Sequence, residues 1–291
     1  MELRQLEYFL ACCDHGTFTA AARALNVVQS AVSTSVARLE REVGEQLFDR
    51  TSTALILTEA GHAAIAPARA ALRARQEVAD AVAGVHGDIR GEVSLGALVN
   101  IATIDLAAAF EVVHQRHPRV SIAMRQSQQG SAGNIAALRS GALDLALLGG
   151  PDDELPGIVV HPLASEPLVL VCPAEHRLAR AGQFSVADLE HERLIDYPPG
   201  WGTRAVADRR IPFRHTVIEV ADQYFGIQLA CSGFGVTLVP RSVALSQTSN
   251  GIATCIDADL TWVISIAHSA NRTPSIAAQA VLDVVVEAAA H

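Results

Sequence analysis

Hydrophobic spacing changes character near Gly91, and that change constrains the fold more than any other feature of the chain. Up to that point apolar side chains recur every three or four residues, the period of an amphipathic helix. Beyond it, short apolar runs alternate with helical stretches, the pattern of an α/β domain with a mostly parallel sheet. In the first part, Leu3, Leu6, Phe9, Leu10 and Cys13 form one face of a helix that ends near His15-Gly16. Thr17 then stands as N-cap of a second short helix, with Phe18, Ala21, Ala22 and Leu25 turned inward. After a break at Asn26-Val27-Val28, a third helix is expected from about Gln29 to Glu42, with Val32, Val36, Leu39 and Val43 on one stripe. Two helices joined by so short a break fit the helix-turn-helix pattern.

Leu47-Phe48-Asp49-Arg50 and Leu55-Ile56-Leu57, flanking the polar Thr51-Ser52-Thr53, read as a small β-hairpin, or wing, beside the third helix. One long helix is expected from Thr58 to about His86. Ile65, Ala68, Leu72, Ala79 and Val82 form its seam, and Pro67 is expected to kink it. With no partner in its own segment, this helix is read as a dimer contact. After Gly91 the expected order is strand 92–97, helix 104–115, strand 120–125, helix 134–140 and strand 143–148. A second lobe opens near Pro162 with strand 168–172, strand 217–220, helix 224–231 and strand 235–239. Strand 262–267 and helix 276–289 then return to the first lobe. Two such lobes leave a crevice, where small ligands bind.

The formal net charge is −9, every one of the 22 basic residues is Arg, and Ala fills 50 of the 291 positions. This excludes a polybasic nucleic-acid binder. The charge is uneven: residues 1–60 carry −3, residues 61–90 carry +1, and residues 91–291 carry −7. No apolar run is long enough to span a membrane and the start carries no secretory signal, so a cytoplasmic location is expected. Five cysteines without ligand spacing, Cys12, Cys13, Cys172, Cys231 and Cys255, read as free, buried thiols. No metal or cofactor is expected. His176, Asp188, His191 and Glu192 match no metal-site spacing, Gly233-Phe234-Gly235 lacks the third glycine of a dinucleotide fingerprint, and no nucleophile elbow occurs.

On the third helix, the apolar stripe leaves Gln29, Ser30, Ser33, Thr34 and Arg38 on the opposite face. Short donors and acceptors of this kind read base edges, and an amide such as Gln29 can pair bidentately with adenine. Arg50 in the wing, Arg38 on the third helix and the N-terminus of the second helix near Thr17 are candidate phosphate contacts.

Several ordered blocks carry a resemblance to a known family: Leu3-Arg4-Gln5-Leu6-Glu7-Tyr8-Phe9, Gly16-Thr17-Phe18-Thr19-Ala20-Ala21-Ala22, Gln29-Ser30-Ala31-Val32-Ser33, Arg38-Leu39-Glu40, Leu47-Phe48-Asp49-Arg50 and Leu57-Thr58-Glu59-Ala60-Gly61. In these the chain resembles the LysR-type transcriptional regulators. Gly91-Glu92-Val93, the stretch 141–147 and the stretch 233–240 extend the resemblance through the rest of the chain. The wing departs from the family's basic pattern, with Arg50 the only charge in the stretch 50–57.

The resemblance implies an N-terminal winged helix-turn-helix (1–57), a linker and dimerisation helix (58–90) and a C-terminal two-lobed α/β effector domain (91–291) similar to periplasmic binding proteins. Lobe I takes about 91–161 and 268–291, and lobe II about 162–267. It also implies binding to double-stranded DNA at an interrupted palindrome, assembly as a dimer or tetramer, and a small-molecule effector in the crevice. Val99-Asn100-Ile101, Ser127-Gln128, the loop from Tyr197 to Thr203 with Trp201, and Asp222 match the usual pocket walls. A helix N-terminus after Asn100 is expected to offer free amides to an anionic effector. The other class of reading is a small-molecule-binding module or enzyme whose N-terminal helices serve only in association.

Overall fold

The computed structural model describes residues 1–49, 55–84, 89–151, 153–211, 213–246 and 251–290. It divides into two compact units, Met1–Gly87 with Ser140–Ala142, and Asp88–Arg139 with Leu143–His291.

In the first unit, α1 (Leu3–His15) ends at Gly16, whose left-handed φ of 70° turns its N–H back to Cys12 O at 3.0 Å. Thr17 then caps α2 (Phe18–Ala24), its Oγ1 accepting from Ala20 N at 3.1 Å. Asn26, at φ 54°, makes the break before α3 (Gln29–Val43), a conformation that asparagine tolerates better than most side chains. The three helices bury Leu6, Phe9, Val32, Val36 and Leu39 around Phe48, with the Phe9 and Phe48 rings 5.5 Å apart. Burial of each such side chain stabilises the unit by about 1.5–3 kcal/mol. Val43, expected on the inner stripe, is 46% exposed, because the core ends one turn earlier at Leu39 and Glu40. Glu40 is buried and its Oε1 accepts from Leu47 N at 2.9 Å and Phe48 N at 3.3 Å. It thereby holds β1 (Phe48–Asp49) for antiparallel pairing with β2 (Ile56–Leu57).

The long helix α4 (Glu59–Gly84) continues through Pro67 as one element. Contrary to expectation it has a partner in its own unit. Ala68 is buried in the three-helix core, with Ala64, Ile65 and Leu72 packed against it, while Val78 and Val82 are exposed. Arg69 Nη2 ties the same end to Asp14 of α1 at 2.8 Å.

In the second unit, β3 (Arg90–Ala97) pairs in parallel with β4 (Arg119–Gln126) and β5 (Leu145–Gly150), with α5 (Leu106–Arg116) and α6 (Gly130–Ser140) between them. The principal departure from expectation follows. A single strand, β6 (Ile158–Cys172), runs through Pro162, where the second lobe is expected to open with a strand confined to 168–172. Its first part pairs with β12 (Thr261–Ser269), and residues from Leu168 onward pair with β10 (Val236–Pro240) and β11 (Gly251–Cys255). Pro162 is tolerated in the ladder beside a register shift at Ile264/Ser265, and Pro167 sits where the strand changes partners.

Beyond β6 come α7 (Arg177–Ala181), β7 (Gln183–Phe184), a 3-10 turn (Val186–His191) and β8 (Arg193–Asp196). They are followed by α8 (Gly202–Arg210), β9 (His215–Glu219), α9 (Gln223–Cys231) and α10 (Arg241–Leu245). β8 pairs in parallel with β10 and β9. The last helix, α11 (Ile276–Ala289), spans the range expected for it and packs beside α5 and β3. The two lobes thus share one sheet, in the order β4-β3-β5-β12-β6-β10-β8-β9, and β6 and β12 pair along the junction.

Candidate functional site

On α3, Gln29, Ser30, Thr34 and Arg38 are exposed, and Ser33 is half-buried with its Oγ donating to Ser30 O at 3.2 Å. Burial of Val32, Val36 and Leu39 therefore leaves a polar face, as the spacing requires. Two of the expected phosphate contacts are less available than the sequence suggests. Thr17 Oγ1 is engaged as the α2 cap. Arg38 Nε lies 3.2 Å from Glu42 Oε1 and its Nη2 lies 3.8 Å from Glu2, so its charge is shared. Glu42 also pairs with the N-terminal ammonium and accepts from Gln5, and these partners hold its carboxyl down at about 2. Arg50, with the wing tip, lies outside the described residues.

In the second unit, the loop after β3, the start of α6, the end of β5, the start of α8 and the start of α9 meet around a cavity of about 30 Å³. Of the residues named from the sequence, Val99, Ser127, Trp201 and Thr203 line it. Asn100 follows Val99 in a left-handed conformation, φ 61°, with its Nδ2 buried and unpaired. The other three do not line the cavity. Ile101 packs into the core shared by the lobes, Gln128 is exposed, and Asp222 is the N-cap of α9, accepting from Phe225 N at 2.8 Å. Its neighbour Gln223 lines the cavity instead, together with Ser131, Gly149, Gly202 and Trp262. Nothing in the local sequence marks Trp262, which reaches the site only because β12 crosses between the lobes.

Close packing fixes this lining. Gly130, at φ 57°, lies so near Trp201 that an added Cβ would stand 3.0 Å from the indole Cδ1. A Cβ on Gly202 would overlap Gly149 O. Trp201 stacks on Tyr197, ring centroids 6.0 Å apart, and the Tyr197 hydroxyl donates to Thr237 Oγ1 at 3.1 Å, the latter donating onward to Ile195 O. Below them Asp196, 3% exposed, accepts from Arg214 Nε at 2.9 Å and Tyr197 N at 2.9 Å, with Arg204 Nη1 at 3.2 Å. Sequence reasoning missed this buried charge network, whose members are separated by loops and a helix.

The helix after Asn100 is α5, and one amide of its first turn is taken by its N-cap, Asp105 Oδ1 accepting from Ala108 N at 2.9 Å. No charged side chain is among the described residues that line the cavity.

Burial raises all five thiols: Cys12 and Cys13 to about 12, Cys172 to about 11, and Cys231 and Cys255 upward. The nucleophilic thiolate is therefore scarce at neutral pH. The native chain should react with a thiol reagent at pH 7 at a small fraction of the rate it shows once unfolded. A cysteine as fast as free thiol would contradict this.

Residues 3–62 match the family model described as bacterial regulatory helix-turn-helix protein, lysR family, and residues 86–290 match the LysR substrate binding domain. The HTH-type transcriptional regulator ShiR of Corynebacterium glutamicum (strain R) is 30% identical over 268 residues, covering 87% of each chain. A hydrogen peroxide-inducible genes activator of Dickeya chrysanthemi is 29% identical over 257 residues, 85% of this chain and 81% of the relative. In fold, the chain matches a single-residue variant of full-length OxyR from Pseudomonas aeruginosa with a TM-score of 0.77 at 22% identity, covering 99% of this chain and 94% of that one. With both of its parts matched in order and a relative at this identity along most of its length, the chain belongs to the LysR family of DNA-binding transcriptional regulators.

Proposed function

We propose that this regulator reads DNA with the polar face of α3 and responds to a small molecule held in the crevice beneath Trp201. The exposed row Gln29, Ser30, Thr34 and Arg38, with Ser33 between them, is the observation that carries the DNA reading. These side chains contact base edges. Arg50 and the N-terminus of α2 near Thr17 contact phosphates. Residues 1–57 form the DNA-reading part, 58–90 the linker and dimer helix, and 91–291 the effector domain with the lobe limits given above. Since Ile65, Ala68 and Leu72 are engaged in the first unit, the dimer seam lies in the second half of α4, where Val78 and Val82 are exposed one turn apart. Tetramers form through the effector domains.

A symmetric dimer presents two α3 helices to half-sites about one turn, roughly 10 base pairs, apart. Val99, Asn100, Ser127, Trp201 and Thr203 remain the proposed effector contacts, joined by Gln223. Ile101, Gln128 and Asp222 act from outside the cavity. An effector switches the protein only if it binds the two lobe arrangements with different affinity. Raised thiols favour ligand binding over thiol oxidation as the signal. The chain works in the cytoplasm, on DNA, and carries out no catalysis. Footprinting on the DNA upstream of its own gene tests the reading: two protected segments one turn apart are expected. Absence of any specific protection at low salt, with or without candidate ligands, would sink it.

A further inference from the structure

We propose that the crevice is locked shut by a glycine contact between the lobes, Gly202 on Gly149, and that an effector enters by breaking this contact and occupies the space on both sides of it. This rests on the crevice being the effector site.

As it stands the crevice is too small for an effector. The cavity beneath Trp201 holds about 30 Å³, about a tenth of the volume of an ordinary ligand pocket. A second cavity of about 220 Å³ is lined by Ile135, Leu148, Leu155 and Val160, and by Arg209 and Asp153. Ser131, Gly149 and Gly202 line both cavities. The wall between the two spaces is therefore the point where the end of β5 meets the start of α8. Parting Gly202 from Gly149 joins them into one space on the scale of an organic ligand.

The contact depends on a missing side chain. A Cβ on Gly202 would overlap both O and C of Gly149, and a Cβ on Gly149 would strike the Trp262 indole. Backbone conformation does not call for glycine at 202: its φ is not positive, and it opens α8, where alanine is the better helix former. Three further ties cross the same junction. Ala132 N, in the first turn of α6, donates to Gly200 O at 3.1 Å. Arg209 of α8 pairs with Asp153, which follows β5, its Nη1 donating to Oδ1 at 2.6 Å. Glu166 Oε1 accepts from Thr103 Oγ1 at 2.5 Å and Ser242 Oγ at 2.8 Å, joining the loop after β3 to α10 at the strand the lobes share. Ties of this kind are individually weak, so ligand binding can displace them. The shut form also buries Trp201 Nε1 and Asn100 Nδ2 without a partner, a cost that opening removes.

Both tryptophans of the chain line the crevice and are 7% and 6% exposed, so acrylamide quenching of the full chain's fluorescence reads how far it opens. Gly202→Ala sets a methyl against backbone that cannot rotate aside, and the lobes have to part. Its quenching constant should rise roughly twofold or more over wild type as the shut population is lost, with the far-UV spectrum retained. Asp153→Ala, which removes the ion pair at the surface, should move quenching the same way by less, and it decides the matter if Gly202→Ala folds poorly. Quenching unchanged in a folded Gly202→Ala, or in Asp153→Ala where the first variant does not fold, overturns the lock. The DNA footprint of the same variants, with no ligand added, should differ from that of wild type. Raised quenching with an unaltered footprint keeps the contact but removes the crevice as the effector switch, and with it the role proposed for the lock.

Discussion

Ser33→Glu should reduce specific DNA affinity by at least about 100-fold, equivalent to the loss of one or two good base contacts at 1–3 kcal/mol each. The substituted position lies on the polar side of α3, flanked by Gln29, Ser30 and Thr34, and its hydroxyl bonds only to Ser30 O one turn back. A carboxylate there brings a negative charge to a phosphate-lined groove and takes the place of a short hydroxyl. The core side chains Val32, Val36 and Leu39 point the other way, so the fold is expected to survive. Binding measured by fluorescence anisotropy, with tryptophan emission and the thermal transition as controls, checks this. Full retention of specific affinity would remove α3 as the reading element.

Asp196→Ala should destabilise the effector domain by roughly 3–5 kcal/mol, because removal of one partner leaves buried charges uncompensated. Arg214 is 9% exposed and donates its Nε to Asp196 at 2.9 Å, and Arg204 Nη1 lies 3.2 Å away. Thr216 Oγ1 is a further donor, at 3.2 Å. Arg204 retains Glu219 at 2.9 Å, and Arg214 retains Asp208 at the surface, so the network weakens without dissolving. Asp196→Asn, which keeps an acceptor but loses the charge, should fall between. Because Tyr197 follows directly and stacks on Trp201, the same change should also shift tryptophan emission. Denaturant unfolding is the measure, and a loss below about 1 kcal/mol would show that the network contributes little.

Local chemistry makes the first unit readable from its sequence. Gly16, Thr17 and Asn26 each carry a backbone or capping preference that acts within a few residues, and the three-to-four spacing of Val32, Val36 and Leu39 separates core from surface unaided. What escapes such reading is non-local. Val43 obeys the period but lies past the end of the core, and Arg38 reads as free in the sequence although Glu42 and Glu2 lie beside it. In the effector domain, the sequence places a lobe boundary near Pro162 with a strand from 168, yet a register shift and a change of partner let one strand run through Pro162 and Pro167. Trp262 and Gln223 come to the crevice only through that topology. Periodicity locates faces; which face meets which ligand is decided by contacts between segments far apart in the chain.

Acidity poses the remaining question, since residues 1–60 carry a net −3 and still belong to a DNA-binding part. If recognition rests on the short polar side chains of α3, few phosphates are neutralised and few counterions released. The most direct test is the affinity of the full chain for the DNA upstream of its own gene as a function of salt. Each neutralised phosphate adds about −0.9 to the log–log slope, and the account predicts a slope no steeper than about −5 for the dimer. A slope near −10 would mean that charge, and not the polar face of α3, supplies the binding.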